Sequence, residues 1–282
     1  MSAIDDVRNY YDANTPAFQR FGQGRSSIHR AVWGPGVASR DGAFRYVDEL
    51  VLREVRALAN RFEAPLHVVD LGCGLGASLV FLASRSPIRG TGVTLSGVQA
   101  ARAVEVVRAA RLADRITCMQ GDFLHLPSSV TAAHLAFSIE AFVHAPDPVR
   151  YFASAAELVL RGGSIVLCDD FLTPLGAETT SPAARRILDD VRTSWLANTL
   201  LTPDAVDRLA SNAGFRLVRD VDLTPHLELG RVRDRLIAAA VAVGRRLPMR
   251  GYRWRSWVGG DALQRALALR LVSYRFIVWE RL

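Results

Sequence analysis

The sequence contains no lysine: all 35 of its basic residues are arginine. That absence excludes Schiff-base chemistry on a lysine amine. Cysteine is scarce as well. Cys73, Cys118 and Cys168 share no metal-like spacing, and all fall in or beside predicted strands, where buried, reduced thiols are expected. The acid–His and Cys–His spacings of metal sites are missing, so no metal is expected. Long apolar runs are missing too. The longest candidate, Leu236 to Val243, is bracketed by Arg235 and Arg245. It falls far short of the ~20 residues that span a bilayer, so no stable membrane insertion is expected. The start, Met1-Ser2-Ala3-Ile4-Asp5-Asp6, has neither a basic region nor an apolar run. No secretion signal is therefore expected, and the protein reads as cytoplasmic. There is no internal repeat and no low-complexity linker.

What is present is a core. Half of the 282 residues are hydrophobic, enough for one large domain with a small cap. The formal charge is +7, with a cluster at Arg231, Arg233, Arg235, Arg245, Arg246, Arg250, Arg253 and Arg255. A solvated helix face and loop is the favoured reading of that cluster, with an anionic substrate or a nucleic acid as its alternative. No RNA-binding module flanks the domain, and no nucleic-acid partner is expected.

The most informative stretch is Val68-Val69-Asp70-Leu71-Gly72-Cys73-Gly74-Leu75-Gly76. A short apolar run ends in an acid and a glycine-rich turn, and the helical pattern Ala77 to Ala83 follows. Strand, tight turn and helix place a nucleotide-like ligand at the carboxyl end of a strand. The Gly-x-Gly-x-Gly spacing differs from the Gly-x-Gly-x-x-Gly that receives a dinucleotide pyrophosphate. Further strands follow at Gly90–Leu95, Ile116–Asp122, His134–Glu140 and Arg161–Asp169, with helical patterns over 97–112 and 148–160 between them. Ser96 is a good N-cap with Gln99 one turn in. Such alternation predicts an α/β fold, a parallel sheet with helices on both faces. Residues 1–62 are expected to form a helical cap, with helices near 3–12 and 42–62. The core spans 63–282, with insertions at about 171–200 and 226–270 on the substrate side. The second insertion is mostly helical and precedes the final strand, Val272 to Trp279.

Over about Val7 to Pro225 the chain resembles the class I S-adenosylmethionine (SAM)-dependent methyltransferases. The resemblance implies their Rossmann-like sheet and a SAM cofactor, released as S-adenosylhomocysteine. Asp70, Gly72 and Gly74 match the motif that cradles the methionyl part. Asp122 and Phe123 match the adenine-binding positions. The acid that usually ends the second strand is replaced by Thr94, in Gly92-Val93-Thr94-Leu95-Ser96-x-x-Gln99. This variant is similar to that of tocopherol, cyclopropane-fatty-acid and geranyl diphosphate C-methyltransferases, and it hands the ribose contact to Thr94, Leu95 and Gln99. The cap segment, with Tyr10-Tyr11-Asp12, Phe18 to Gly22 and Ile28 to Gly36, resembles the cap of the same enzymes. The teleocidin-type prenyl C-methyltransferases are a further resemblance. Glu140 stands where the geranyl diphosphate family has a Glu facing the reacting alkene. The family's two Asn positions are held here by Ile139 and, roughly, Asp12, which argues against metal-assisted diphosphate binding.

Methyl transfer from a sulfonium needs alignment of nucleophile and methyl group and exclusion of water. An alkene nucleophile becomes a tertiary cation that a carboxylate and aromatic faces stabilise. An oxygen or nitrogen nucleophile needs a base, typically His. Glu140 is therefore the first catalytic candidate, with capping of the next helix or pairing with an Arg as its structural alternative. His144, four residues on, and His29, in the cap motif, are candidate bases that structural hydrogen bonds explain equally well. Tyr10, Tyr11, Phe18, Phe21 and Trp33 are candidates to close over cofactor and substrate, Tyr11 on the cofactor; cap packing is the alternative for each. Phe171, Trp195 and His226 are candidates for the substrate wall. The expected function is SAM-dependent C-methylation of a small, apolar, prenylated or terpenoid natural product through a carbocation. O- or N-methylation of a secondary metabolite is the alternative, followed by a SAM-binding cyclase that transfers no methyl group. A homo-oligomer stays open.

Overall fold

A computed structural model describes residues 2–21 and 29–282; the side chains of residues 19–21 lie outside that description. A seven-stranded sheet with the order β3-β2-β1-β4-β5-β7-β6 organises the chain. Its strands are β1 (Leu66–Leu71), β2 (Ile88–Thr94), β3 (Ile116–Gln120), β4 (Ala133–Ile139), β5 (Val159–Leu172), β6 (Phe215–Asp222) and β7 (Val272–Arg281). The first five pair in parallel, whereas β7 runs antiparallel to both β5 and β6. The parallel pairing expected of those five strands is present, and β7 adds an antiparallel strand. The cause is the connection: β7 returns from the helical insertion after β6 and slots between β5 and β6.

Strands β1, β4, β5 and β7 bury both faces, and their side chains alternate between two cores. Val68, Val166, Cys168, Tyr274 and Phe276 join one core, beneath α2 (Arg40–Ala59), α3 (Ala77–Ala83) and α4 (Gly97–Ala109). Val69, Ile165, Leu167, Phe171 and Trp279 join the other, beneath α5 (Pro148–Leu158) and α8 (Pro203–Asn212). Between β5 and α8 lie α6 (Pro174–Glu178) and α7 (Pro182–Ser194); α9 (Val232–Gly244) and α10 (Tyr252–Ala268) follow β6. Strand order reverses at β1, whose two neighbours are β2 and β4, and a crevice opens there at the carboxyl ends.

The cap is more helical than its sequence suggests. Its first helix, α1 (Ala3–Phe21), continues past Pro16. Pro16 has no N–H to give to the turn before it, and a helix is expected to stop there. Asn14 and Thr15 instead donate side-chain hydrogen bonds to the carbonyls of Tyr10 and Tyr11, at 2.9 and 2.7 Å. Tertiary bonds hold the helix down. Arg255 makes a forked pair with Asp6 at 2.9–3.0 Å, and Ser96 donates to Asp12 at 2.5 Å. These tie α1 to α10 and to the N-terminus of α4, over the crevice.

Candidate active site

A cavity of about 1000 Å³ fills the crevice. That is the upper end of the usual range for small-molecule sites, with room for two ligands side by side. Its floor is the glycine turn after β1. Gly72 and Gly74 line it with φ of +115° and +50°, a region that side-chain-bearing residues avoid. Thr94, Leu95 and Gln99 form the next wall. Thr94 Oγ1 donates to Gln99 Oε1 at 2.9 Å, which leaves the Gln99 amide hydrogens and the Thr94 lone pairs for a ligand's hydroxyls. Ser96 caps α4 by accepting from the Gln99 N–H, as its sequence position predicts. Phe123 also faces the cavity.

The two acids matched to the cofactor motif are not in the wall. Asp70 is buried beneath the turn, and burial, with Cys118 and Asp48 nearby, pushes its carboxyl well above the usual range. Asp122 turns onto its own loop: Oδ1 accepts from the Leu124 N–H at 2.8 Å, and Oδ2 lies 3.7 Å from His125 Nδ1. The pattern acid-then-Phe was legible, but the local turn takes up the acid.

Beside the glycine turn, Glu140 directly follows β4. Its φ is +54°, a strained value for a residue with a Cβ, and strain of this kind collects at functional sites. Its N–H donates to the Cys168 carbonyl at 2.8 Å. Its Oε1 accepts from the Arg30 N–H and from the Tyr274 hydroxyl, both at 3.0 Å. Arg30 grips Asp170 through a forked pair at 2.7 and 2.5 Å, and its Nε lies 3.8 Å from Glu140 Oε2. Burial opposes the Arg30 charge, but Asp170 and Glu140 outweigh it and hold the guanidinium protonated. Two carboxyl groups thus share one guanidinium, so the cluster leans negative where it meets the cavity. Asp169 adds little charge: burial, together with Asp170, pushes its carboxyl up to about 8.

His144 also faces the cavity, but it is fully engaged. Its Nδ1 donates to the Leu196 carbonyl at 3.0 Å, and its Nε2 accepts from the Tyr11 hydroxyl at 2.7 Å. Burial drives its pKa down to about 4. This predicts a pH effect on stability. The unfolded chain gains a proton below its own pKa of ~6.5 that the folded chain accepts only near 4. The stability tied to neutral His144 is complete above pH ~6.5 and is lost as pH falls towards ~4, on the order of 3 kcal/mol in all. Urea unfolding at both ends of that window should show a shallower acid loss for His144→Gln than for the wild type; identical acid limbs would contradict the assignment.

His29 lines the cavity with Nε2 3.2 Å from Ser78 Oγ. Tyr10, Tyr11 and Trp195 line it as expected. Phe21 ends α1, and its side chain lies outside the described residues. Three expected wall residues lie elsewhere. Phe171 is in the far core, because strand parity turns odd-numbered residues of β5 away from the cavity. Trp33 and His226 meet each other through a backbone bond, Trp33 N–H to His226 carbonyl at 2.8 Å, away from the cavity wall. Chain neighbours of His226, Leu227 and Leu229, line the cavity instead. Arg30, Asp170 and Tyr274 were not singled out for a role. The adjacent acids Asp169-Asp170 at the end of a buried apolar strand were the one visible signal, since unpaired buried charge is costly. Part of the arginine cluster also departs from the solvated-face reading: Arg231, Arg233, Arg250 and Arg253 line the cavity. Among the described residues no three His, Cys, Asp or Glu side chains group as metal ligands.

Comparison with known proteins places this geometry in a class. Residues 68–163 match the methyltransferase domain family. The chain is 25% identical over 228 residues to (+)-O-methylkolavelool synthase of Herpetosiphon aurantiacus, covering 80% of this chain and 76% of that protein. It is 27% identical over 219 residues to cycloartenol-C-24-methyltransferase 1 of Oryza sativa, covering 78% and 61%. It is 33% identical over 150 residues to the chloroplastic tocopherol O-methyltransferase of Arabidopsis thaliana, covering 52% and 43%. The last two are longer than the spans they share with this chain. Among solved structures, the cyclopropane synthase MmaA2 of Mycobacterium tuberculosis superposes with a TM-score of 0.76 at 17% identity, covering 99% of this chain and 98% of that one. Geranyl diphosphate C-methyltransferase of Streptomyces coelicolor, solved with Mg²⁺, geranyl diphosphate and S-adenosyl-L-homocysteine, superposes with a TM-score of 0.70 at 16% identity, covering 100% and 99%. The fold is the Rossmann-like fold of the class I methyltransferases.

Proposed function

We propose that the protein is a SAM-dependent methyltransferase that C-methylates a small, apolar, prenylated or terpenoid substrate. The observation that carries the reading is Glu140, held at the end of β4 in a cavity whose lining also includes Tyr10, Tyr11, Phe123, Trp195, Leu227 and Leu229 beside further charged residues, Glu228, Asp234, Asp261 and five arginines among them. The site fits SAM on its own terms. The positive-φ glycines expose backbone where a side chain would stand, and the Thr94–Gln99 pair offers a donor and an acceptor to vicinal hydroxyls. SAM supplies an activated methyl group on a sulfonium. Phe123, Gly72 and Gly74 line the cavity, so Phe123 would offer the cofactor a ring face and the turn would hold its amino-acid end.

The chain's own residues then do two things. The Arg30–Asp170 pair and the Tyr274 hydroxyl hold Glu140 in place. Glu140 faces the alkene and stabilises the positive charge that develops on carbon as the methyl group arrives. The aromatic wall adds ring faces to the same end and excludes water. Glu140 is also placed to accept the neighbouring proton that the cation sheds. The relatives bear on this reading by name: one is a C-24 methyltransferase of cycloartenol, and a fold neighbour is a geranyl diphosphate C-methyltransferase. O-methylation is the competing reading, since two relatives are named for it. It needs a base, and His144 is poorly suited because both ring nitrogens are engaged and its pKa is about 4. That role would fall to His29. The three free, buried thiols suit a reducing compartment, and we place the enzyme in the cytoplasm.

The proposed chemistry needs no metal. Turnover is expected to persist in EDTA. Activity abolished by chelation and restored by Mg²⁺ would overturn this and favour a free prenyl diphosphate substrate. The decisive test of the reaction type is the comparison of Glu140→Gln with His29→Ala and His144→Ala. Carbon methylation predicts that the Glu140 variant is the most impaired; a dominant histidine variant would favour oxygen or nitrogen methylation.

A further inference from the structure

The insertion between β6 and β7 carries a surface that the methyl-transfer chemistry does not use. Helix α9 shows an apolar stripe at helical spacing on its outside: Val232, Leu236, Ala239 and Val243 are all exposed. The first, second and fourth of these are 73%, 66% and 60% exposed. The stripe continues into the turn after α9 with Leu247, 56% exposed, and Met249. Trp257 on α10 is half-exposed as well. Helices of a water-facing insertion normally place such side chains inward. No helix among the described residues is long and apolar enough to cross a membrane, so the stripe is not part of a span.

Its flanks are cationic. Between Val232 and Trp257 stand Arg233, Arg235, Arg245, Arg246, Arg250, Arg253 and Arg255, with Asp234 as the sole acid. Arg245 and Arg255 pair with acids on other elements, Asp190 and Asp6. Arg235, Arg246, Arg250 and Arg253 are exposed, and none of these four has an acidic partner among the described residues. The same corner borders the cavity: Ile237, Met249, Arg250, Arg253, Trp254 and Trp257 all line it.

We propose that α9, the turn after it and the start of α10 form a peripheral docking face for an anionic phospholipid surface, with the cavity mouth at the contact. The apolar stripe enters the acyl boundary while the arginines at the two ends of α9 and in the turn after it meet the headgroups. Charge complementarity selects this occupant over a second copy of the chain, because two such arginine-rich faces repel each other. A bilayer would also present an apolar substrate at the mouth without passage through water. The inference stands apart from the methyl-transfer reading, because vesicle binding is read without cofactor or turnover.

The test is co-sedimentation of the full chain with phosphatidylcholine vesicles, with and without added phosphatidylglycerol, beside light scattering of the protein alone. The wild type is expected to bind the anionic vesicles, to bind the neutral ones far less, and to be released by salt. Leu236→Glu with Val243→Glu should weaken binding by about tenfold or more through loss of buried apolar area. Arg246→Gln with Arg250→Gln should do the same through loss of charge, on the order of tenfold. All four sites are exposed, and circular dichroism checks that each double variant is folded. Equal binding to both vesicle types, or none to either, overturns the proposal. A wild-type dimer that Leu236→Glu breaks, with no vesicle binding, assigns the face to a second copy and overturns it too.

Discussion

Glu140→Gln is expected to lower turnover by about 10²–10³-fold with little change in SAM affinity. The substitution keeps the shape of the side chain and an acceptor oxygen for the Arg30 N–H and the Tyr274 hydroxyl. What it removes is the negative charge facing the cavity. Arg30 would then be left with Asp170 alone, and the cluster would lose its negative bias towards the substrate. That bias matters only once positive charge develops on carbon, so the loss should fall on the chemical step. Glu140→Ala is a poorer probe, because it also opens a void and strips the Tyr274 hydroxyl, buried in the core, of a partner. Calorimetry with SAM separates the two effects. Near-normal turnover in Glu140→Gln would sink the carbocation mechanism.

The second large effect is expected at the glycine turn. Gly74→Val should weaken SAM binding by a hundredfold or more, on the order of the ~1–3 kcal/mol of backbone strain plus direct blockage of the site. Gly74 holds φ at +50° and lines the cavity, so a β-branched side chain meets both penalties. Gly72 is a less clean target. A Cβ there would sit 2.3 Å from the Cβ of Ala141, so substitution disturbs the packing of the turn itself. A folded Gly74→Val protein that binds SAM like the wild type, measured by calorimetry, would remove the cofactor assignment.

The reach of the sequence follows from what is local in it. Strands β1 to β5 and the glycine turn were legible because a buried strand and its turn are written in consecutive residues. Ser96 was legible as an N-cap for the same reason, and it accepts from the backbone N–H three residues on. The length of α1 was not, because the bonds that hold it, Asp6 to Arg255 and Asp12 to Ser96, come from distant parts of the chain. The site divides along the same line. Gly72, Gly74, Thr94, Leu95, Gln99, Phe123 and Glu140 follow strand ends, and all reach the cavity. Phe171 does not, since a shift of one residue along a strand reverses the face a side chain meets. Arg30, Asp170 and Tyr274 are separated by more than a hundred positions. Only the placement of β7 beside β5, with Asp170 opposite Tyr274 in register, brings them together. Nothing local in the sequence encodes that neighbour relation.

Carbon methylation of an apolar substrate at the Glu140 end of the cavity sets where the transferred methyl group is found. The most direct measurement uses SAM labelled with ¹³C in its methyl group. The enzyme is incubated with a panel of prenylated and terpenoid compounds, S-adenosylhomocysteine is quantified, and the labelled product is read by carbon–proton NMR. The account predicts S-adenosylhomocysteine in equal amount to product, with the label bonded to carbon. Label on oxygen or nitrogen, with the same stoichiometry, would contradict it.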